Sequence, residues 1–281
     1  MAETLSIERP AENVQFVSRS AFIVSPWHDR IFFIFSPLIA LVLGAVLSFT
    51  PLAIEGFRLN GRAESWISLF SGAFTMAHLS IVFFRSHGNP EIFKLYPARF
   101  ILVPVLLFSA MLLSSWVLIF IFVLAVWWDT YHSALQTFGL GRLYDLKAGN
   151  LSDESRRLDR GLNLVLYLGP ILGGAALMDH VQHFNKFSDV GAVFFSAIPA
   201  FASEHHRLLT AIVSGAGSAY IFYYLWKYRA LMRQGYHISE QKVWLFAATA
   251  VCSIYAWGFN SFGQAFFIMN FFHALQYFAL I

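Results

Sequence analysis

The chain has 281 residues, of which 58% are hydrophobic and only 12% are charged. Soluble globular domains carry roughly 25% charged residues, so this composition excludes that class and predicts an all-α, polytopic membrane helix bundle. The net charge of +3 is small and predicts no nucleic-acid partner. Cys252 is the only cysteine of the sequence, which excludes an internal disulfide and a cysteine-based metal site.

The apolar segments predict about eight transmembrane helices. A polar N-terminal segment, residues 1–30, precedes a single transmembrane domain, residues 31–281. Phe100–Gly139 is too long for one span of about 20 residues, and we divide it near Ser114 and Ser115. Val190–Ala202 is apolar but too short to cross, which predicts a re-entrant or interfacial segment. The predicted spans are Ile31–Ala53, Ser65–Phe84, the two halves of Phe100–Gly139, Gly161–Met178, Leu208–Trp226, Val243–Trp257 and Phe262–Ile281.

The distribution of positive charge supports this count and gives an orientation. With the N-terminus inside, 15 of the 19 Lys and Arg residues lie on the inner side, and Arg58, Arg62, Lys186 and Arg207 lie on the outer side. Cytoplasmic loops of membrane proteins carry such an excess. The N-terminal segment is therefore predicted to be cytoplasmic. Because the spans are helical, a multi-pass protein of the bacterial inner membrane is expected.

Five histidines from four separate spans or their ends fall in the cytoplasmic half of the predicted bundle. They are His28, His78, His87, His132 and His273. A metal centre needs several imidazoles or carboxylates that converge from different elements, so these five are candidate metal ligands. Each of them is also compatible with a hydrogen-bonded core or loop histidine. The remaining histidines are predicted to lie in solvated loops, and they are His180, His183, His205, His206 and His237. A second cluster on the outer side is the alternative for the first four of them.

Polar side chains accompany two of these histidines on their own helix faces. In WWDTYHSALQTFGLGRLY, residues 127–144, Asp129, His132 and Gln136 are spaced by three and four, which places them on one helix face. Gln276 follows His273 by three residues. Ionisable groups inside a membrane are costly and usually functional. Asp129, Gln136 and Gln276 are therefore predicted catalytic residues that orient the imidazoles or hold a water molecule on the metal. Alternatively, they only hydrogen-bond neighbouring helices.

The pattern at His78, Asp129, His132 and His273 resembles the bacterial β-carotene 15,15′-dioxygenase family, whose multi-span members are rich in Phe and Leu and carry isolated histidines on separate membrane helices. The resemblance covers the general layout of the chain. It implies a non-haem iron (Fe²⁺) site and the oxidative cleavage of a carotenoid to retinal. It makes His28, His78 and His132 or His273 the candidate iron ligands.

These observations predict a membrane-embedded non-haem iron oxygenase that acts on a lipophilic substrate, carotenoid-like or another lipid, taken from the surrounding membrane lipid. An alternative is a transporter or proton-relay protein that uses the same Asp129 and histidine cluster. Pro104 and Pro170 would then mark broken helices. A third possibility is a membrane cytochrome with histidines as axial haem ligands. The sequence predicts no oligomeric state.

Overall fold

The structure, a computed structural model, describes residues 20–51, 56–59, 62–150 and 153–281. Within these ranges the chain is helical apart from one short antiparallel hairpin, as the predicted all-α class requires. Strands β1 (Gly56–Leu59) and β2 (Arg62–Ser65) pair with Gly56 opposite Ser65 and Leu59 opposite Arg62. The hairpin lies where the sequence predicted only a polar loop between the first two spans.

Eight helices of 13 residues or more make up most of the described chain. They are α1 (Ser36–Ser48), α2 (Trp66–Ser86), α3 (Pro97–Leu113), α4 (Ser115–Lys147), α5 (Asp153–Gly173), α6 (His206–Arg233), α7 (Glu240–Phe259) and α8 (Phe262–Ala279). The shorter helical segments are Pro26–His28, the π-helical Asp29–Ile34, Pro90–Leu95, Leu177–Val181, the 3₁₀-helical Gln182–Val190, Val193–Ser196 and Ile198–Glu204.

The lengths and apolar character of these helices are those of a membrane protein. Among the described residues, α2, α4, α6 and α7 are each long and apolar enough to cross a membrane. Two bent pairs raise the number of spans to six if each pair crosses once: Pro26–Ile34 with α1, bent by 53°, and α5 with Leu177–Val190, bent by 101°. Helix α3, with 17 residues, is shorter than a span of about 20. Helix α8 is continuous, but its apolar sequence is interrupted by four polar residues, Gln264, Asn270, His273 and Gln276.

The predicted division of the longest apolar run is confirmed. Helix α3 ends at Leu113 and α4 begins at Ser115, and the Ser114 side chain accepts a hydrogen bond from the Val117 amide at 3.4 Å. A serine at this position satisfies one of the backbone donors that a helix start leaves without a partner. The short polar pair therefore separates two helices within an otherwise continuous apolar stretch.

Helices α7 and α8 lie at the centre of the bundle. The largest buried cluster joins them to α1, α4 and α5 through side chains that include Ala40, Ala134, Tyr167, Trp257 and Phe272. Helix α2 packs mainly on α8, and α3 packs mainly on α4. None of the α3 side chains is buried. Helices α2 and α3 therefore form a peripheral layer over the α4 and α8 core.

The chain turns sharply after α5 because two glycine backbones meet there. A Cβ atom on Gly174 would lie 2.8 Å from the Gly258 carbonyl oxygen and would also press on the Gly258 Cα and the Pro170 carbonyl. The Ala176 amide donates to the same Gly258 carbonyl at 3.2 Å. This close approach directs Leu177–Val190 back against the bundle.

Gly174→Ala is expected to lower the free energy of unfolding by about 2 kcal/mol, because the methyl group meets backbone atoms that cannot move independently. Gly169→Ala, on the preceding turns of α5, is the matched control, since a Cβ there meets no atom within 4 Å. Unfolding of both variants by SDS in mixed micelles measures the difference. If both variants unfold at the same SDS concentration, the close contact between Gly174 and Gly258 is contradicted.

Candidate metal centre

Three of the five predicted ligands converge. His78 of α2, His132 of α4 and His273 of α8 each offer one ring nitrogen, and these nitrogens all lie within 4.8 Å of one another. The ring centroids of His132 and His273 are 5.0 Å apart, those of His78 and His273 5.1 Å, and those of His78 and His132 6.5 Å. Three imidazoles from three separate helices thus meet at one point, as a metal site requires.

The hydrogen-bonding state of these rings fits a ligand role. His273 is only 2% exposed, and within the described residues neither of its ring nitrogens has a hydrogen-bond partner. His78 is also buried, and its Nδ1 has no partner in the same residues. An unsatisfied buried polar atom costs about 1–3 kcal/mol, so buried imidazoles normally have partners. A metal ion would satisfy one nitrogen of each ring by accepting its lone pair.

The site is closed on two sides and open on the third. His78 and His273 are buried, whereas the His132 side chain is exposed. A metal centre with three protein ligands and one accessible side keeps coordination positions free for small molecules, which distinguishes reactive from purely structural sites. The exposed side of His132 is therefore the accessible side of the cluster.

The three predicted catalytic residues join the helices that carry the histidines. The Asp129 carboxylate accepts a hydrogen bond from Asn270 Nδ2 at 3.0 Å. Gln136 Nε2 donates to the His273 carbonyl at 2.8 Å and to Gln276 Oε1 at 3.2 Å. Gln276 Nε2 donates to the Phe33 carbonyl at 2.9 Å. None of these described bonds reaches an imidazole nitrogen, so they position α4 and α8 and not the rings directly.

His28 and His87 are not brought to this cluster. His28 lies beside Asp29, with its Nδ1 4.0 Å from the carboxylate, and its ring contacts Phe32 at a centroid distance of 5.0 Å. Both nitrogens of His87 are engaged elsewhere: Nε2 lies 3.1 Å from the Phe100 carbonyl, and Nδ1 lies 2.9 Å from the Ser86 hydroxyl. All five histidines were predicted at a similar depth in the bundle, so depth did not distinguish these two residues from the three that converge.

Asp29 itself stabilises the start of the bundle. Its carboxylate accepts hydrogen bonds from the amides of Ile23 at 2.6 Å and Val24 at 3.0 Å, and from the Tyr144 hydroxyl at 3.0 Å. A fully buried carboxylate with several donors has a structural role that needs no ligand. The neighbouring His28 therefore lies in a segment held in place by local capping.

The expectation that His180 lies in a solvated loop is wrong. The bend at Gly174 places His180 in the bundle, where it is 2% exposed and its Nε2 donates to the Trp257 carbonyl at 2.8 Å. His206 likewise donates from Nε2 to the Gly174 carbonyl at 2.9 Å. These histidines bond carbonyl groups at the ends of α7 and α5. The glycine pair at residues 173 and 174 is the sequence signal that could have indicated the turn.

An aromatic seam borders the metal centre. Phe74 of α2 stacks on Phe271 of α8 at a centroid distance of 5.1 Å, and Phe278 contacts Phe74 at 5.1 Å. The Tyr277 ring meets the His78 ring edge-on at 4.5 Å. Sequence reasoning did not assign these residues, because aromatic residues are 18% of the chain and their individual positions carry little signal.

Comparison of the chain with protein-family models, with curated proteins and with solved structures gives no match. The functional interpretation therefore depends on the residues of the site and on the resemblance in layout described above.

Proposed function

We propose that this protein is an integral-membrane, non-haem iron oxygenase that acts on a lipophilic substrate. The observation that supports the proposal is the convergence of His78, His132 and His273 from three helices, with both nitrogens of the buried His273 unpartnered among the described residues. Imidazole ligands suit iron, zinc and copper. The resemblance to the dioxygenase family favours iron, which would supply dioxygen activation at this site.

The residues around the cluster have separable roles in this proposal. His78, His132 and His273 hold the metal. Gln136 and the Asp129–Asn270 pair fix α4 against α8, so that His132 and His273 keep their mutual distance. The apolar cleft between α2 and α8, lined by Phe70, Phe74, Phe267 and Phe271 among others, excludes water on one side. The exposed side of His132 admits the substrate from the membrane.

The proposal includes a membrane topology. Eight membrane spans with the N-terminus inside would place α3 and α8 across the membrane beside the helices that qualify by length and composition. The metal centre would then lie in the cytoplasmic half of a bacterial inner membrane. The asymmetry of Lys and Arg supports this orientation. Labelling of single cysteines in intact cells would test it.

Elemental analysis of the detergent-purified protein tests the metal centre. Wild-type protein is expected to hold about one iron per chain, and His132→Ala and His273→Ala are each expected to lower metal affinity by at least about 100-fold. His87→Ala is the matched control, because both of its nitrogens bond other groups. A folded wild-type protein that takes up no metal on reconstitution would contradict the proposal.

A proton-relay or transport function is the second candidate, and the Asp129–Asn270 hydrogen bond inside the bundle favours it. In that case Asp129→Asn would abolish proton-coupled uptake into proteoliposomes, and the wild-type protein would be active without bound metal. Metal content and flux, measured on the same preparation, separate the two functions.

A further inference from the structure

The outward face of the last turns of α6 combines apolar side chains with two arginines. Arg229 and Arg233 are four residues apart and therefore lie one above the other on the same helix face. Together with Leu225 and Met232 they line a surface hollow of about 490 Å³. Leu225 is 57% exposed and Met232 is 46% exposed. The hollow thus presents hydrocarbon and positive charge side by side.

Two basic side chains near these arginines are paired within the chain. Lys227 Nζ lies 2.8 Å from Glu154 Oε1, and Arg142 Nη1 lies 2.8 Å from Asp145 Oδ2. Within the described part of the chain, neither Arg229 nor Arg233 has such a hydrogen bond or ion pair. Their charge is therefore available to an anion from outside the chain.

The residues that precede the arginines place them at the edge of the membrane. Trp226 is 64% exposed and Tyr223 is 46% exposed, and Trp and Tyr concentrate where the hydrocarbon core meets the headgroups. Phe222, which is 73% exposed, continues the apolar face toward the hydrocarbon core. The guanidinium groups of Arg229 and Arg233, one and two turns beyond Trp226, are therefore expected at the level of the lipid phosphates.

We propose that this face binds one anionic glycerophospholipid. Its phosphate would lie between the guanidinium groups of Arg229 and Arg233, which match phosphate oxygens in a bidentate manner. One of its acyl chains would follow Leu225 and Phe222. Charge complementarity selects an anionic over a zwitterionic lipid at this site. The proposal does not depend on the metal centre.

Titration of delipidated protein with phosphatidylglycerol and with phosphatidylcholine, followed by native mass spectrometry, tests this site. Arg229→Gln/Arg233→Gln is expected to weaken phosphatidylglycerol binding by about 30-fold, since each membrane-surface Arg contributes about fivefold. Arg156→Gln/Arg157→Gln is the matched control. This control removes two exposed positive charges close to Glu154, the residue that forms an ion pair with Lys227 of α6. It therefore measures the effect of net charge alone.

The site is supported if the first variant loses phosphatidylglycerol while the control and the phosphatidylcholine affinity change by less than about threefold. Equal losses in both variants would show that only overall charge acts, and would overturn the proposal. Displacement of the lipid by millimolar inorganic phosphate would also overturn it, because the acyl chain would then contribute nothing. Circular dichroism and gel filtration verify that each variant is folded.

Discussion

Replacing Lys242 by methionine is expected to lower the free energy of unfolding by about 3–5 kcal/mol, because it removes the ammonium ion that two buried carboxylates share. Lys242 is 1% exposed, and its Nζ lies 2.7 Å from Asp145 and 3.1 Å from Asp159. The same Nζ donates to the hydroxyls of Tyr228 and Tyr236, each at 2.8 Å. Every proton of the ammonium group thus has an acceptor.

The phenol groups extend this network without adding charge to it. Burial raises the pKa of Tyr236 above its usual value, so the phenol stays protonated and donates to Asp145 at 2.6 Å. Tyr228 donates to Asp159 at 2.5 Å. Because the network joins α4, α5, α6 and α7 at one end of the bundle, the loss of its central cation destabilises all four helices together.

SDS titration in mixed micelles measures this effect, with Lys227→Met as the control. Lys227 forms an ion pair with Glu154 at the surface, where screening by solvent makes such pairs contribute little. The double variant Lys242→Met/Asp159→Asn should recover part of the loss, because it removes the carboxylate charge that has lost its described ion-pair partner. If Lys242→Met unfolds at the same SDS concentration as Lys227→Met, the buried network does not stabilise the bundle.

If the proposed metal is bound, its removal is expected to loosen α2 from α8. His78 is the one buried side chain among those described on α2, whose other contacts with α8 include the aromatic seam around Phe74 and Phe271. A metal ion would bond this peripheral helix to His132 and His273 of the core. With free metal at about 100 times the dissociation constant, opening of α2 is suppressed about 100-fold.

Thiol labelling measures this opening with little background, since Cys252 is the only cysteine of the chain and is fully buried. Ser71→Cys, in the cleft between α2 and α8, should react with N-ethylmaleimide about 100-fold faster after chelation than in the metal-loaded protein. Ser80→Cys, on the exposed side of α2, should react at one rate in both states. An unchanged Ser71→Cys rate in protein that demonstrably loses its metal would show that α2 stays docked without it.

The approximate positions of the long apolar helices follow from local sequence patterns, although α4 and α6 extend past their predicted ends at Gly139 and Trp226. The division at Ser114 was predictable because a run of about 40 apolar residues exceeds one span and serine caps a helix start. The hairpin at Gly56–Ser65 and the turn at Gly174 were not predicted. Each depends on a pairing with another segment, and no periodicity within the segment itself reveals such a pairing.

For the candidate site, the sequence by itself determined that the ligands are histidines and at about which depth in the predicted bundle they lie. It identified His78, His132 and His273, and it also identified His28 and His87, because all five share one zone of the predicted bundle. Only the tertiary structure decided that α2, α4 and α8 bring three of them within 4.8 Å, while His87 bonds Ser86 and Phe100. The physical reason is that hydrophobicity fixes where along the membrane normal a residue lies. Packing between helices fixes which residues face one another.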